Sequence, residues 1–344
     1  MKVLHLAAGN RWTGAAAPAF AEVEALRAAG VDAHYAYVGG YKLEVKLGRY
    51  DFAHPLIEKS QNPIAFARSK AAIDRMVARH GFDVIHTHLT HDHWLARFVT
   101  RETRIRLART FHSRRVLRTD VLTKSLIHRT ELLFVINDEF RDAPALARRT
   151  AIFTPPPLDH RQFTATGPNA RALQGIDADE KIVTVIGKLS KGRGFEDALR
   201  TFALLRKRVA CRLMIIGHGE HRPALELLAA ELEITEGVVW AGYHEDDLAE
   251  HYRASDLLLF TAKGSDEGHR AVLEAMACGV PPATFPIEGV AALTGPAHVA
   301  AEPTPEALAA LAETLLAQDL RESVVERSML FGYEAAAQRL IAAY

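Results

Sequence analysis

The residues best suited to chemistry lie in one short stretch of the last third of the chain. Asp266, Glu267 and Glu274 are spread over a glycine-containing loop and the helix after it. The segment 256–260, which is apolar after its polar first residue, predicts a buried strand before them. A strand, a loop with Gly268 and a helix present backbone N–H groups and a helix N-terminus to an anion. The acids beside it are suited to hold hydroxyl groups. The stretch therefore indicates a ligand with phosphate and hydroxyls, such as a sugar nucleotide, unless Asp266 only caps the helix and Glu274 faces solvent.

A second loop, residues 187–195, carries glycines and cations after a predicted strand that ends at Ile186. Its glycines let the backbone approach a ligand closely, and Lys188, Lys191 and Arg193 can pair with phosphate. The alternative is a solvated turn with ordinary surface charges. Beside the acidic stretch, the loop favours a phosphate-binding role.

Both stretches resemble retaining glycosyltransferases of family 4. In that family two acids are separated by seven residues, and the second begins the segment Glu-Ala-Met-Ala-x-Gly-x-Pro, which residues 274–281 match closely. Asp266 stands where the family most often has Glu, and Glu267 follows it, so which of the two holds the donor sugar stays open. Lys188 and Arg193 correspond to the two basic residues that neutralise the donor diphosphate, with lysine and arginine exchanged.

The resemblance implies an α/β chain of GT-B architecture, with two Rossmann-like domains facing each other across a cleft. Residues 1–163 would bind the acceptor and residues 164–332 the nucleotide sugar, while a C-terminal helix at 333–344 would pack back on the first domain. The proline-rich stretch 153–159 supports a boundary, because it cannot continue a helix or a strand.

The same resemblance assigns roles to single residues. His112, at the end of a predicted strand, would approach the transferred sugar, and Asp266 or Glu267 would hold its hydroxyls, so these three are the predicted catalytic residues. The alternative for His112 is a strand-end histidine bonded to backbone. The predicted donor-binding residues lie on loops after strands or in the helix that follows such a loop: Gly14, Lys188, Arg193, Gly217, Tyr243, Gly268, His269, Arg270 and Glu274.

The implied activity is transfer of a hexose from a nucleoside-diphosphate sugar to an acceptor hydroxyl, with retention of anomeric configuration. The acceptor would be a sugar, lipid or polysaccharide of bacterial-type cell-surface polysaccharide, lipopolysaccharide or glycolipid synthesis. Lys188, Arg193 and a helix N-terminus can stabilise the leaving diphosphate, so neither a metal nor another cofactor is expected. Alternatives within the fold are an inactive GT-B binding subunit and a sugar-nucleotide epimerase. An NAD enzyme is disfavoured, because Arg222 replaces the third glycine of the dinucleotide motif that begins at Gly217.

Four histidines, His86, His88, His91 and His93, form the most metal-like pattern in the sequence. Neutral imidazoles are common zinc ligands. However, His86 and His88 end a predicted strand and share one of its faces, whereas His91 and His93 follow in the next loop or helix. No acidic or cysteine partner has a defined spacing from them, and the family that the chain resembles also has His at these strand positions without a metal, so no metal site is predicted.

Predicted strands that alternate with helical stretches position these residues, in the pattern of parallel α/β sheets. In the first half the strands are at 2–6, 32–38, 83–88, 106–111 and 132–136. In the second half they are at 181–186, 211–216, 237–240, 256–260 and 280–285. Several are continuous apolar runs, as expected for strands covered on both faces.

The composition is that of a globular protein, with 49% hydrophobic and 24% charged residues in a chain long enough for two domains. Lys and Arg total 42, as do Asp and Glu, so no overall field attracts nucleic acid. Two cysteines in apolar contexts, an N-terminus unlike a signal peptide and the lack of a membrane-length apolar run predict a cytoplasmic protein. Arg114, Arg115 and Arg118 form a basic patch that could face the acceptor, an anionic lipid on the inner face of the membrane, or solvent. The sequence does not predict the oligomeric state.

Overall fold

The computed structural model of the chain describes residues 1–10, 12, 14–40, 42–60, 62–177, 180–262 and 269–344. Within them the chain forms two compact units, Met1–Pro157 with Phe331–Tyr344, and Leu158–Leu330. The sequence predicts the boundaries slightly later, after residues 163 and 332. Each unit has its own parallel sheet with helices, which confirms the predicted α/β class with two Rossmann-like parts.

Parallel strands build the first sheet, because most are short buried runs followed by a helical crossover. They are β1 (Lys2–Ala7), β2 (Asp32–Val38), β3 (Ala53–Ile57), β4 (Val84–Thr87), β5 (Arg106–Phe111), β6 (Leu132–Val135) and β7 (Ala151–Phe153). Over the described residues their spatial order is β3-β2-β1-β4-β5-β6-β7. The order reverses between β1 and β4, so the carboxyl ends of these two strands flank the crevice in which such sheets bind ligands.

Helices connect these strands, and local sequence sets their ends. They are α1 (Ala16–Ala28), α2 (Lys42–Leu47), α3 (Pro63–His80), α4 (Thr90–Thr100) and α5 (Val121–His128). In α3, the side chain of Asn62 accepts a hydrogen bond from the Ala65 N–H at 2.8 Å, and Pro63 fits the first turn. Gly81 ends the helix with a left-handed backbone at φ 66°.

The second unit repeats this plan with a smaller sheet. Its strands are β8 (Lys181–Ile186), β9 (Cys211–Ile216), β10 (Val238–Gly242), β11 (Leu257–Phe260) and β12 (Pro282–Thr284). Its helices are α6 (Phe195–Leu205), α7 (Arg222–Glu231), α8 (Leu248–Ala254), α9 (Arg270–Ala277), α10 (Val290–Thr294), α11 (Pro305–Leu316) and α12 (Arg321–Met329). In the described ranges the strand order is β10-β9-β8-β11-β12, so the loops after β8 and β11 flank the crevice of this sheet.

The last helix, α13 (Tyr333–Ala343), belongs to the first unit. Its Ala336 and Ala337 pack against Ala25 of α1, where small side chains let the two helices approach closely. Tyr333 adds a hydrogen bond from its hydroxyl to Glu24 at 3.0 Å.

Each strand predicted from the sequence has a counterpart in these sheets, with ends that differ by at most two residues. The sequence does not predict β3 and β7. Both strands lie at the edges of the first sheet, where they have one neighbour each.

Candidate functional site

Three loops of the second unit are joined at the carboxyl end of its sheet. Leu189, after β8, donates its N–H to His218 O at 2.9 Å and accepts at its own carbonyl from His221 N–H at 3.0 Å. The loop after β9 is joined to the end of β10, since Gly217 N–H donates to Gly242 O at 2.6 Å. These loops form one connected rim beside the crevice between β8 and β11.

Glycine is required at two points of this rim. Gly217 has φ 142°, and a Cβ there would lie 1.9 Å from the carbonyl oxygen of Gly187. Gly194 has φ 84°, and a Cβ there would lie 2.1 Å from the carbonyl oxygen of Thr261, just after β11. Both obstacles are backbone atoms, so any larger residue would push the loops apart.

The two predicted phosphate cations, Lys188 and Arg193, lie on the loop between β8 and α6. Lys188 is exposed, and its Nζ lies 3.7 Å from a carboxylate oxygen of Glu220. Arg193 is half-buried and lies two residues before the start of α6 at Phe195. The structure therefore brings both cations to the crevice, while their contact with phosphate stays a prediction.

Glu274 lies inside the second unit, not on its surface. Its side chain is only 6% exposed, and its Oε1 lies 2.7 Å from Nε of Arg270. The hydroxyl of buried Tyr252 donates to the other carboxylate oxygen at 3.2 Å. Burial and the nearby Glu274 raise the pKa of Tyr252 well above its ordinary value, so the tyrosine remains a donor. The alternative in which Glu274 faces solvent is therefore wrong.

Helix α9 begins with a strained residue, because His269 has a left-handed backbone at φ 49°. For a residue other than glycine this conformation costs about 1–3 kcal/mol and persists only where the surroundings fix it. His269 Nε2 lies 2.7 Å from the carbonyl oxygen of Glu288, and its ring meets Phe260 edge-on. Its Nδ1 is buried and has no hydrogen-bond partner among the described residues. His269 is thus fixed beside the first N–H groups of α9, which have no partner inside the helix.

Tyr243, just after β10, presents an exposed aromatic ring beside the rim. The residue is 60% exposed, and its ring meets that of His218 edge-to-face with centroids 5.0 Å apart. Its hydroxyl donates to Glu245 at 3.0 Å. Such a ring can stack on a planar base. The place of Tyr243 in a donor site stays a prediction.

Asp266, Glu267 and Gly268 lie outside the described residues, so their roles stay predictions. In the first unit, Gly14 precedes α1 with a left-handed backbone at φ 62°. No described atom lies within 4 Å of the place where its Cβ would be, so the requirement for glycine there is conformational.

His112, after β5, forms its hydrogen bond with a side chain. The alternative, a strand-end histidine that is hydrogen-bonded to backbone, is therefore wrong. The Nε2 of His112 lies 2.9 Å from Nδ1 of His88. Burial, and secondarily the charge of Arg109, lowers the pKa of His112 to about 3, so the ring is neutral at neutral pH. Its Nδ1 is buried without a hydrogen-bond partner in the described part of the chain.

The linear histidine pattern does not form one site. His93 bonds to the hydroxyl of Thr130 at 2.8 Å, and its burial lowers its pKa well below the ordinary value. His91 instead packs edge-on against Phe66. The second half of the pattern is therefore held apart from the first.

His86 and His88 instead join two residues that sequence reasoning missed, His5 of β1 and Glu22 of α1. These four side chains, hereafter the buried quartet, are fully buried in the first unit. Burial lowers the pKa of His5 to about 3 and raises that of Glu22 to about 8, against the opposing charge of Arg339. The available signal was a charged residue on the apolar face of α1, but spacing alone does not show which strand it meets.

The predicted basic patch is divided among different neighbours. Arg114 donates to the carbonyl oxygen of Glu139 at 3.1 Å. Arg115 and Arg118 line a cavity of about 370 Å³ together with Trp94. In the ranges that the structure covers, no helix is long and apolar enough to cross a bilayer.

Two family models match the chain. Glycosyltransferase Family 4 matches residues 12–142, and Glycosyl transferases group 1 matches residues 168–330, so together they span most of both units. The chain belongs to the family 4 glycosyltransferases of GT-B fold. The match to this family includes the cationic loop 187–195 and Glu274, and it confirms the resemblance inferred from these segments.

The curated relatives of this family member are distant. It is 31% identical over 123 residues to an uncharacterized glycosyltransferase of Methanocaldococcus jannaschii, which is 36% of this chain and 31% of that protein. It is 25% identical over 269 residues to the N-acetyl-alpha-D-glucosaminyl L-malate synthase of Bacillus anthracis, which is 71% of this chain and 65% of that protein. The chain thus spans less than two thirds of the length of these relatives. The crystal structure of Anabaena HepE in complex with UDP has a TM-score of 0.79 at 16% identity and 99% coverage of both chains, a likeness of fold.

Proposed function

We propose that this family 4 member transfers a hexose from a nucleoside-diphosphate sugar to an acceptor hydroxyl with retention of configuration. The observation that carries the proposal is the set of groups beside the second crevice. Lys188 and Arg193 follow β8, the strained His269 opens α9, and Glu274 lies buried on that helix. A nucleoside diphosphate is the ligand that uses cations, a helix N-terminus and a carboxylate together.

The leaving diphosphate gains negative charge as the bond between its oxygen and the sugar C1 breaks. Arg193 can hold it with two parallel bonds, and Lys188 can follow it as a point charge. With the N-terminus of α9 they supply the stabilisation that a divalent ion gives elsewhere. The acceptor oxygen bonds to C1 on the face that the diphosphate leaves, and a diphosphate oxygen takes the acceptor's proton.

Other side chains orient the donor. Glu274, held by Tyr252 and Arg270, would accept hydrogen bonds from the ribose hydroxyls, and Tyr243 would stack on the base. Asp266 or Glu267 would hold the hydroxyls of the transferred sugar. This division of labour follows from the family resemblance and is supported by the burial and bonding of Glu274.

The first unit would hold the acceptor. His112 is neutral, so its Nδ1 suits a hydrogen bond to a sugar hydroxyl. In the cavity lined by Arg115, Arg118 and Trp94, Arg118 Nε lies 3.4 Å from Asp120, so Arg115 is the cation that would meet an anionic group of the acceptor. Two curated relatives are named for L-malate and for D-inositol 3-phosphate, both anionic compounds. An anionic precursor in cell-surface polysaccharide, lipopolysaccharide or glycolipid synthesis meets these requirements.

Titration calorimetry with UDP and GDP, followed by turnover assays with a panel of their sugars, tests the proposal. We expect micromolar to millimolar binding of at least one diphosphate and a product with retained anomeric configuration by NMR. No heat with any nucleoside diphosphate would overturn the donor site. Binding without transfer or hydrolysis of any donor would indicate a binding subunit, and interconversion of donor sugars an epimerase.

A further inference from the structure

The buried quartet has the composition and spacing of a metal site. Its members are His5, Glu22, His86 and His88, each with a fully buried side chain. One oxygen of the carboxylate, Glu22 Oε2, lies 3.6 Å from His5 Nδ1, 3.8 Å from His88 Nε2 and 3.9 Å from His86 Nδ1. All four potential ligand atoms lie within 4.8 Å of one another.

The fold fixes this arrangement through strand register. β1 and β4 are adjacent and parallel, with His5 paired to His86. His88 is two residues further along the chain, so it follows His86 on the same face of the sheet. Helix α1 covers that face and places Glu22 among its buried apolar residues. Residues from three separate segments of the sequence are thus held together by the central elements of the first unit.

The carboxylate of Glu22 lacks a partner that accounts for its burial. Neither of its oxygens has a hydrogen-bond partner in the described ranges. A buried polar group without a hydrogen bond is costly, and a buried charge is normally paired or bound to a metal. Arg339 of α13 lowers the pKa of this carboxyl through its charge, yet it forms no hydrogen bond to it. A cation between Glu22 and the three rings would compensate the carboxylate directly.

The spacing is close to that of a tetrahedral centre. With metal–nitrogen distances of about 2.0–2.1 Å, ligand atoms in such a centre are roughly 3.3 Å apart. His5 Nδ1 and His88 Nε2 are 2.9 Å apart, and the three distances to the carboxylate oxygen are 3.6–3.9 Å. Four of the six distances between ligand atoms are thus close to tetrahedral spacing, and the two from His86 Nδ1 to the other imidazoles are at most 4.8 Å. Binding of one ion therefore requires the His86 side chain to move toward the other three ligands.

The ring nitrogens that face away from Glu22 have partners. His5 Nε2 lies 3.2 Å from the Tyr344 hydroxyl, and His86 Nε2 lies 2.7 Å from the Thr110 hydroxyl. His88 Nδ1 lies 2.9 Å from His112 Nε2. Metal-bound histidines usually make such second hydrogen bonds, which orient the ring. Two hydrogen bonds of the proposed ligand atoms would be replaced by an ion: the one between His5 Nδ1 and His88 Nε2, and the one between His86 Nδ1 and the Tyr344 hydroxyl.

We propose that the buried quartet binds one divalent first-row transition ion in the core of the first unit. The types of its ligands favour zinc. Three imidazoles and one carboxylate form a ligand set that zinc accepts. With four protein ligands and no exposed face, the site is structural and fastens α1 to β1 and β4. This departs from the expectation of no metal, which rested on the lack of an acidic or cysteine partner at a defined spacing and on the family pattern, where His occupies these strand positions without a metal.

Metal analysis of the wild-type chain is the first test. The full chain is produced without a histidine tag in zinc-supplemented medium and is then dialysed. Its metal content is measured by elemental mass spectrometry. One zinc per chain is expected. Refolding with cobalt(II) should give the intense visible absorption of a tetrahedral cobalt site. A chain that is free of metal after both treatments overturns the proposal and leaves a hydrogen-bonded network of neutral groups.

Matched variants identify the ligands. Glu22→Gln preserves the side-chain shape but cannot lose a proton to give the anionic oxygen that the ion needs, so it should fold and bind the ion more than about a hundredfold more weakly, beyond the loss typical of an outer-sphere partner. His91→Asn changes a histidine of the same sequence pattern outside the quartet and should keep one ion per chain. Added zinc should raise the unfolding temperature of apo wild type and of His91→Asn, but not of Glu22→Gln. One tightly held ion in Glu22→Gln would refute the ligand set. If this variant does not fold, the metal content and cobalt spectrum of the wild-type chain decide whether the site exists.

Discussion

Arg193 offers the most direct test of the donor site at the residue scale. Arg193→Ala removes a charge-assisted hydrogen bond of about 1.5–3 kcal/mol, so kcat/KM for the best donor should fall at least about tenfold. Steady-state kinetics and UDP calorimetry measure the change. The control is Arg208→Ala, since Arg208 lies beyond the other end of α6 and pairs with Glu313 at 3.0 Å on the surface. Full activity in both variants would make Arg193 an ordinary surface residue.

A mutational test of Glu274 requires a control variant, because its carboxylate also accepts a hydrogen bond from Tyr252. Glu274→Gln keeps the size of the side chain but removes the charge that would hold ribose hydroxyls, so UDP should bind about tenfold more weakly. Tyr252→Phe removes one protein partner of the carboxylate and leaves its charge intact. It should change UDP affinity much less in the same titration. Equal losses in the two variants would mean that Glu274 acts through the packing of α8 on α9.

The two candidate acids of the loop before α9 can be separated by isosteric changes. Asp266→Asn and Glu267→Gln each remove one carboxylate, and only one is expected to hold the hydroxyls of the donor sugar. We therefore expect a strong loss of kcat in one variant and near wild-type turnover in the other, with Asp266 favoured by the family spacing. Turnover at saturating donor measures this difference. Full activity in both would leave Asp266 only its role as a helix cap.

At the scale of elements, the rim of the second crevice depends on Gly217. Gly217→Ala adds about 1–2 kcal/mol of left-handed strain and a contact with Gly187 O, where its Cβ would lie 1.9 Å away. The midpoint of thermal unfolding should fall by several degrees, at about 2–4 °C per kcal/mol, and UDP binding should be lost because the loops separate. The matched control is Gly175→Ala, at φ 64° with no described atom within 4 Å of its Cβ. This control should lose only the stability that the backbone strain costs, and it should still bind UDP. Equal losses of stability and of UDP binding in the two variants would contradict the steric argument.

Strands with continuous apolar runs could be predicted from the sequence, whereas the two edge strands of the first sheet could not. β3 contains Pro55, which an edge strand tolerates because one side of its backbone needs no partner. β7 has only three residues, too few for a periodic pattern. The donor loops were found because their residues are close in sequence. The buried quartet was missed because the pairing of His5 with His86, and the helix face that carries Glu22, appear only when the sheet is assembled.

At the scale of the whole molecule, the two proposed sites belong to different units. The quartet lies within Met1–Pro157, and the donor rim lies within Leu158–Leu330. Changes at sites that share no partners usually have additive effects. Glu22→Gln should therefore leave UDP affinity unchanged, and Arg193→Ala should leave metal content unchanged. The same pair of variants thus separates failure of one proposal from failure of the other.

Chelation during the assay tests whether transfer needs a metal at the diphosphate. Lys188, Arg193 and the N-terminus of α9 can balance the charge on the leaving group, so the initial rate should not change when EDTA is added or when magnesium or manganese is supplied. An ion in the fully buried quartet would not be removed within minutes, because its release requires opening of the core. Loss of rate within the mixing time, restored at once by magnesium, would contradict metal-independent transfer. Slow loss over hours, restored only by refolding with zinc, would instead be the signature of the buried quartet.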